Sequence, residues 1–235
     1  MVQVAILAGG LATRLRPMTE TIPKSLIEIN GEPFIFHQLR LLRSKGISNV
    51  VICTGYLGEM IEAIVANGHA FGMSVTYSYD GNKLLGTGGA IVNALDQLDN
   101  EFMITYGDSY LDFDYQGLYN FFHESDCLAV MTVFENKNAF DKSNVVFEEG
   151  KLHLYSKKIQ DSRMRYIDYG ISMVCKSIFD NKQEGNIFDL SVIFEKLSMK
   201  RQLAAYEVPE RFYEIGSFQG ISDLENYLQK NKPIR

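Results

Sequence analysis

Two glycines and two cations follow the first apolar run of the chain. The run Val2–Leu7 leads into Gly9 and Gly10, and the cations Arg14 and Lys24 come shortly afterwards. A continuous apolar run is typical of a strand buried on both faces of a parallel sheet. Glycine lets backbone N–H groups approach a phosphate because no Cβ stands in the way. A buried strand, a glycine turn and two cations therefore indicate a site for a nucleoside triphosphate.

A candidate metal ligand follows a second apolar run. Glu101–Tyr106 is predicted to be a strand, and it ends in Gly107 and Asp108. In open α/β sheets, ligands bind at the carboxyl ends of the strands. Mg²⁺ prefers oxygen ligands and usually takes one or two carboxylates together with substrate phosphates. We therefore predict that Asp108 holds Mg²⁺.

A second glycine cluster opens a predicted helix. Leu85 is followed by Gly86, Thr87, Gly88 and Gly89. A plain turn needs one glycine rather than three, and a helix N-terminus adds a partial positive charge. The cluster favours a second place where a ligand approaches the backbone closely.

Composition limits the classes of function. The chain has 235 residues, of which 46% are hydrophobic, and this is enough for one well-cored domain. Its net charge of -6 argues against general nucleic-acid binding, and no apolar stretch approaches the ~20 residues of a membrane span. Cys53, Cys127 and Cys175 have no metal-ligand spacing and are predicted to be reduced core residues. A strand pattern begins directly after Met1, so we expect no signal peptide and a cytoplasmic location.

The order of predicted elements indicates the fold class. Strands such as Asn49–Cys53 and Met73–Tyr79 alternate with amphipathic helices, for example between Gly58 and Asn67. This alternation predicts an α/β fold, with a Rossmann-like, mostly parallel sheet flanked by helices. We expect a single domain over residues 1–235. Its first half, about 1–112, would bind the nucleotide, and its second half, 113–235, would bind the acceptor.

The first glycine turn carries a longer pattern. It reads G-G-x-x-T-R-L-x-P followed by P-K, and it matches neither a P-loop nor a G-x-G-x-x-G fingerprint. The pattern resembles that of the sugar-1-phosphate nucleotidyltransferases, also called nucleotide-sugar pyrophosphorylases. The chain is similar to short members that act on heptose 1-phosphate or N-acetylmuramate 1-phosphate. The resemblance implies the nucleotide-diphospho-sugar transferase fold and the reaction NTP + sugar 1-phosphate → NDP-sugar + pyrophosphate.

The resemblance also implies roles on the nucleotide side. Arg14 would hold the leaving phosphates, Lys24 would bridge the α-phosphate and the incoming phosphate, and Asp108 would hold Mg²⁺. The likeness of Leu85–Gly89 to the heptose and mannose members favours GTP, although the base is left open. The residues implied in nucleotide binding are Leu7, Ala8, Gly9, Gly10, Thr13, Gly86, Thr87 and Gly88.

On the acceptor side the chain departs from the family pattern. The late metal-binding aspartate is replaced by Glu214, and the glutamate before the phosphate-binding lysine is replaced by a serine. Lys157 is our candidate for the sugar phosphate, with Lys158 as the alternative. Regular alternation along this predicted strand would place Tyr155 and Lys157 together on the side away from the core.

The sugar itself would contact the next strand and the turn before the metal ligand. Asp168 stands where the family has an asparagine, and a carboxylate favours a neutral sugar. Gly107 and Gly170 complete the implied sugar-phosphate site.

Two other functions stay open. A phosphocholine-type cytidylyltransferase would need an aromatic or acidic cage for a cationic amine, and Tyr155, Tyr166 and Tyr169 are candidates for that cage. A noncatalytic nucleotide-sensing protein on the same fold would tolerate the loss of Lys24 or Asp108, and both are present. The expected partners are a nucleoside triphosphate and a sugar 1-phosphate, and a homo-oligomer is left open.

Overall fold

A computed structural model of the chain describes residues 2–137 and 139–231. The α-helices are α1 (Phe34–Ser44), α2 (Gly58–Val65), α3 (Gly86–Asn93), α4 (Tyr115–Glu124), α5 (Ser191–Met199) and α6 (Phe218–Lys230). The strands are β1 (Gln3–Leu7), β2 (Glu28–Ile29), β3 (Glu32–Pro33), β4 (Asn49–Thr54), β5 (Ser74–Tyr79), β6 (Glu101–Tyr106), β7 (Ser109–Tyr110), β8 (Ala129–Glu135), β9 (Val145–Glu148), β10 (Lys151–Tyr155), β11 (Tyr166–Cys175), β12 (Leu203–Glu207) and β13 (Tyr213–Glu214).

The first four long strands are parallel neighbours. They lie in the order β6-β1-β4-β5, with β1 between β6 and β4. Val4 and Ile6 pack into the core on one face of the sheet, and Ala5 and Leu7 pack into the core on the other. Both faces of β1 are therefore buried, which explains why its sequence is continuously apolar rather than alternating.

The later strands extend this sheet by antiparallel pairing. The ten-residue strand β11 pairs antiparallel with β6 and with β8, and β8 pairs parallel with β12. The predicted hairpin forms between β9 and β10, with its turn at Glu149 and Gly150. The predicted α/β fold, with a mostly parallel sheet flanked by helices, is confirmed, and each antiparallel pair of this sheet includes a strand from the second half of the chain.

Helices cover both faces of the sheet. Apolar residues of α3 and α5 fill the core on one face, and those of α1, α2 and α4 fill the core on the other. A third cluster joins Leu15 of the first loop to Ile215 and to Leu224 of α6. Cys53 is buried, as predicted, whereas Cys127 and Cys175 are partly exposed. Across residues 2–137 and 139–231, none of the helices has the length and apolar character needed to cross a membrane.

Candidate active site

Four parallel strands end at one edge of the sheet, and a cavity of about 260 Å³ lies there. In sheet order, β6 leads into Asp108, β1 into Gly9, β4 into Gly55 and β5 into Asp80. This edge is the place where open α/β sheets bind ligands. The cavity is lined by Leu7, Ala8, Gly9, Gly10, Ala12, Lys24, Ser25, Asp80, Leu84, Gly86, Thr87, Ala90, Tyr106, Gly107 and Asp108.

The two glycines of the first turn have different surroundings. A Cβ on Gly9 would lie 3.0 Å from the backbone nitrogen of Gly55, so Gly9 lets the loops after β1 and β4 approach each other. Around Gly10, apart from the glycine and its two chain neighbours, no heavy atom of the described residues lies within 4 Å of the position that a Cβ would take. Gly10 is therefore the glycine that leaves open space for a ligand.

The loop after Gly10 is anchored so that Arg14 stays free. Ala12 adopts a left-handed conformation, and its carbonyl accepts a hydrogen bond of 2.8 Å from the buried hydroxyl of Thr19. Leu15 is 1% exposed and packs in the third cluster. Arg14 is exposed and forms no ion pair within the described part of the chain. It is therefore available to an anionic ligand.

A second cavity, of about 290 Å³, adjoins the first. Its lining consists of Ala12, Thr13, Arg14, Leu15, Lys24, Asp108, Glu214 and Gly216. Lys24 and Asp108 line both cavities, and Lys24 Nζ lies 2.5 Å from Asp108 Oδ2. The ion pair thus stands at the boundary between a largely apolar cavity and a charged one.

A short antiparallel pairing brings Glu214 to Asp108. Strand β13 pairs with β7, so that Glu214 lies opposite Ser109, and the Ile215 N–H donates to the Asp108 carbonyl at 2.9 Å. Partial burial and the nearby Asp108 carboxylate raise the pKa of Glu214, and Lys24 opposes this shift. Two carboxylates and one lysine therefore face the same space.

Gly216 keeps the space between Lys24 and Glu214 open. The sequence analysis did not identify this glycine as a site residue. A Cβ on Gly216 would lie 3.3 Å from Lys24 Nζ and 3.7 Å from Glu214 Oε1. The only available signal was its position two residues after Glu214.

The donor set around Asp108 suits a hard cation. No group of three or more His, Cys, Asp or Glu side chains that could hold a metal exists among residues 2–137 and 139–231. Asp108 and Glu214 offer two carboxylates beside the charged cavity, and the pKa of Glu214 is raised first by burial and then by repulsion from Asp108. Mg²⁺ uses one or two carboxylates and completes its shell with phosphate and water oxygens. These residues therefore fit Mg²⁺.

The predicted acceptor-side residues lie close to one another. Lys157 Nζ is 3.4 Å from Asp189 Oδ1, and its backbone N–H donates to Glu195 Oε1 at 3.1 Å. Burial, with a contribution from Asp189, raises the pKa of Asp168 to about 6, while Lys157 opposes the shift. The N–H of Gly170 donates to Asp168 Oδ1 at 3.0 Å. Lys157, Asp168 and Gly170 thus form one group, which Asp189 and Glu195 complete.

The expected orientation of Tyr155 is wrong. The register of β10 against β9 shifts between Leu152 and Leu154, and this irregularity turns Tyr155 into the core, where it packs against Phe194. Lys157 remains exposed and faces Asp189. Lys158 forms no ion pair in the described ranges 2–137 and 139–231.

The three tyrosines do not form a cage. Tyr155 and Tyr169 are 1% and 2% exposed and lie in the cores on opposite faces of the sheet. The hydroxyl of Tyr166 donates to Glu207 at the periphery. The aromatic site proposed for a cationic amine is therefore absent at these residues.

The second glycine cluster packs against another part of the chain. The Phe188 carbonyl accepts hydrogen bonds from the N–H groups of Gly88 and Gly89, at 3.0 and 3.3 Å. A Cβ on Gly86 would lie 2.7 Å from the Phe188 carbonyl oxygen, and one on Gly88 would lie 2.2 Å from the Phe188 ring. Three glycines are needed here because the segment around Phe188 approaches α3, a reason that the sequence interpretation did not consider. Gly86 and Thr87 line the cavity, and Gly88 contacts Phe188 instead.

Asp80 is a site residue that sequence reasoning missed. It lines the first cavity, its Oδ2 accepts a hydrogen bond of 3.0 Å from the Leu85 N–H, and burial raises its pKa. Within the described ranges it forms no ion pair. Its position directly after β5, at the ligand-binding edge of the sheet, was the signal available in the sequence.

Solved structures show the same fold. HddC from Yersinia pseudotuberculosis, complexed with GMP-PN, has a TM-score of 0.80 and 23% identity, and the match covers 97% of this chain and 100% of HddC. The inositol-1-phosphate CTP transferase from T. maritima has a TM-score of 0.81 and 18% identity, over 98% and 96% of the two chains. The fold is that of the nucleotide-diphospho-sugar transferases.

Sequence comparison identifies the family. The model for the family described as nucleotidyl transferase matches residues 3–151. A D-glycero-alpha-D-manno-heptose 1-phosphate guanylyltransferase of Campylobacter jejuni is 30% identical over 216 residues, which are 91% of this chain and 94% of that protein. A UTP–glucose-1-phosphate uridylyltransferase of Synechocystis is 29% identical over 82% of this chain, which spans only 54% of that longer protein. The chain therefore belongs to the nucleotidyl transferase family.

Proposed function

We propose that the protein is a Mg²⁺-dependent sugar-1-phosphate nucleotidyltransferase that joins a nucleoside monophosphate unit to a sugar 1-phosphate and releases pyrophosphate. The observation that carries the proposal is the Lys24–Asp108 pair, which lines both cavities and has Arg14 and Glu214 beside it in the second. This arrangement suits a triphosphate whose nucleoside occupies the apolar cavity and whose phosphates occupy the charged one.

The reaction needs positioning and cations rather than a base. The sugar-phosphate oxygen that attacks the α-phosphorus is already an anion at neutral pH, and the difficulty is to bring anions together. Lys24 would neutralise the transferring phosphoryl group, and Arg14 would hold the leaving phosphates. Gly10 leaves room for phosphate oxygens beside the backbone. Asp108 and Glu214 would hold Mg²⁺, which when bound supplies positive charge to the phosphates.

Asp80 supports a preference for GTP. Neighbouring strands lie ~4.8 Å apart, so Asp80 and Asp108, which are three strands apart, are separated along the sheet edge by roughly 14 Å. With the phosphates beside Asp108, a bound nucleotide of that length would have its base near Asp80. Guanine is the base that presents two adjacent N–H donors, at N1 and N2, to a carboxylate. Adenine and cytosine present one donor beside an acceptor, and uracil presents one donor between two acceptors.

The acceptor would bind in the second half of the chain. Lys157 would contact the sugar phosphate, and Asp168 and Gly170 would contact sugar hydroxyls, together with Gly107. Since Asp168, Asp189 and Glu195 surround Lys157, an acidic sugar would be repelled, and a neutral sugar 1-phosphate fits best. The division into a nucleotide half (1–112) and an acceptor half (113–235), as well as the cytoplasmic location, are parts of this proposal.

A pyrophosphate-release panel tests the proposed function. Five nucleoside triphosphates (ATP, CTP, GTP, UTP and dTTP) are crossed with several neutral sugar 1-phosphates and phosphocholine, with and without Mg²⁺. We expect release only with Mg²⁺ and a sugar 1-phosphate, and most of it with GTP. Pyrophosphate release without an acceptor, or no release in any combination, would contradict the proposal. Release with phosphocholine would indicate a phosphocholine-type cytidylyltransferase instead.

Replacing Lys157 with alanine should raise the KM for the sugar 1-phosphate about tenfold to a hundredfold, because a charge-assisted contact contributes roughly 1.5–3 kcal/mol. The KM for the triphosphate should stay near the wild-type value. Steady-state kinetics with each substrate varied in turn measure both constants. Lys158→Ala, one residue away, is the matched control and should change neither. Equal rises in both KM values for Lys157→Ala would indicate general damage and refute the assignment.

Replacing Glu214 with glutamine should raise the Mg²⁺ concentration that gives half-maximal rate several-fold, since a neutral amide binds Mg²⁺ less well than a carboxylate. Glu214→Asp keeps the charge and should retain part of the activity. A Mg²⁺ titration of initial rates compares the three proteins. If the glutamine variant titrates like the wild type, Glu214 is structural and Asp108 holds the metal without it.

A further inference from the structure

A buried glutamine on α1 contacts the turn that carries Asp108. The Gln38 side chain is 3% exposed, and its Nε2 donates hydrogen bonds to the carbonyls of Tyr106 and Ser109, both at 2.8 Å. These carbonyls flank Gly107 and Asp108 on either side. One amide nitrogen therefore spans the whole turn.

The same turn is tied at two further points. The N–H of Gly107 donates to the Leu7 carbonyl at 2.9 Å, and the Asp108 carbonyl accepts from the Ile215 N–H at 2.9 Å. These bonds come from β1 and from the residue after β13. With Gln38 on α1, three separate segments of the chain thus fix the backbone of one two-residue turn.

The contact of one nitrogen with the Tyr106 and Ser109 carbonyls suits a primary amide. A primary amide carries two N–H groups on one nitrogen, so it can donate to two carbonyls at once, whereas a carboxylate only accepts and an aliphatic side chain does neither. Within the described ranges, Gln38 Oε1 is buried and has no hydrogen-bond partner. An unsatisfied buried oxygen is unfavourable. The two N–H donors are therefore what the structure uses at this position.

We propose that Gln38 is a positioning residue that holds the Asp108 carboxylate in the place where it meets Lys24 and the metal. The proposal rests on the function proposed above for its kinetic part. The Lys24–Asp108 distance of 2.5 Å and the approach of Glu214 both depend on the path of this turn. Gln38 does not line either of the two cavities that adjoin Asp108. Gln38 would therefore act on Asp108 through its hydrogen bonds to the backbone of the turn.

The test compares Gln38→Met with the matched control Thr132→Val. Methionine keeps the length of the side chain and removes both donors. Thr132 is likewise buried, and its hydroxyl donates to the Ile171 carbonyl at 2.6 Å, between β8 and β11 rather than on the turn that carries Asp108. Three quantities are measured: backbone hydrogen exchange of a peptide covering 104–111 without ligand, the Mg²⁺ concentration for half-maximal rate, and kcat with the KM for the triphosphate.

We expect Gln38→Met to speed exchange in residues 107–110 about tenfold, as two lost hydrogen bonds allow. It should also lower kcat about tenfold and raise the Mg²⁺ requirement, with little change in KM. Thr132→Val should do none of this. Wild-type exchange, kcat and Mg²⁺ dependence in Gln38→Met, with only a lower melting temperature, would overturn the proposal.

If the protein releases no pyrophosphate at all, the exchange measurement still decides whether Gln38 holds the turn. If Gln38→Met does not fold, Gln38→Asn carries the same measurements with the same expected changes, because its amide is one methylene too short to bridge the two carbonyls.

Discussion

Replacing Lys24 with methionine should lower kcat by about a hundredfold or more and leave the fold intact. In the proposed reaction Lys24 would face charge that develops on the transferring phosphoryl group, and removing one such group costs about 10²–10³ in kcat. The Lys24 side chain is 19% exposed and lies at the boundary of two cavities, so its shortening leaves no hole in the core. Purified variant and wild type are compared by pyrophosphate release at saturating substrates, and their folds are compared by circular dichroism.

An ion pair elsewhere on the surface provides the control for Lys24. Lys45 Nζ lies 2.6 Å from Asp112 Oδ1, with a side-chain exposure of 27%. Lys45→Met removes a similar pair and should leave kcat unchanged, whereas Asp108→Asn should lower it as Lys24→Met does. A Lys24→Met enzyme with near-wild-type kcat would contradict the role proposed for this lysine.

The second large effect concerns the choice of base. Asp80→Asn should reduce the preference for GTP over the other triphosphates about tenfold to a hundredfold, because a bidentate contact to a base contributes roughly 1–3 kcal/mol of discrimination. An asparagine amide offers one acceptor and one donor, so it no longer matches the two adjacent donors of guanine. The measurement is kcat/KM for GTP, ATP, CTP and UTP with one sugar 1-phosphate.

Asp96 offers a comparison for the Asp80 variant. It is an exposed aspartate on the same half of the chain and does not line the cavity. Asp96→Asn should therefore keep the wild-type order of substrates. If Asp80→Asn lowers kcat/KM equally for every triphosphate, the carboxylate supports the pocket and does not read the base.

Local sequence patterns predicted which residues lie at the ligand-binding edge of the sheet. They did not predict which distant segments of the chain approach that edge. Asp108 could be placed because it directly follows a strand, and strand ends of a parallel sheet share an edge. Glu214 reaches Asp108 through the pairing of β13 with β7, which joins residues about a hundred positions apart, and no local pattern indicates it. Only the family resemblance suggested that residue.

One interpretation was wrong and another was incomplete, and each outcome has a physical cause. Alternation along β10 predicted the wrong side for Tyr155 because a register irregularity, invisible in the pattern, shifts the strand against β9. The glycines at the start of α3 correctly indicated that something approaches the backbone. They did not say whether a ligand or another segment of the chain would do so, and Phe188 occupies part of that space.

The contact of Phe188 with α3 limits how such enzymes can be recombined. The Leu190 N–H donates to Thr87 Oγ1 at 2.8 Å, and the neighbouring Asp189 pairs with Lys157. A chimera that takes residues 113–235 from one enzyme and residues 1–112 from another would place a foreign segment against Gly86 and Gly88, where a misplaced side chain would collide. Useful crossover points for shuffling therefore keep the first turn of α3 and residues 186–190 from the same parent.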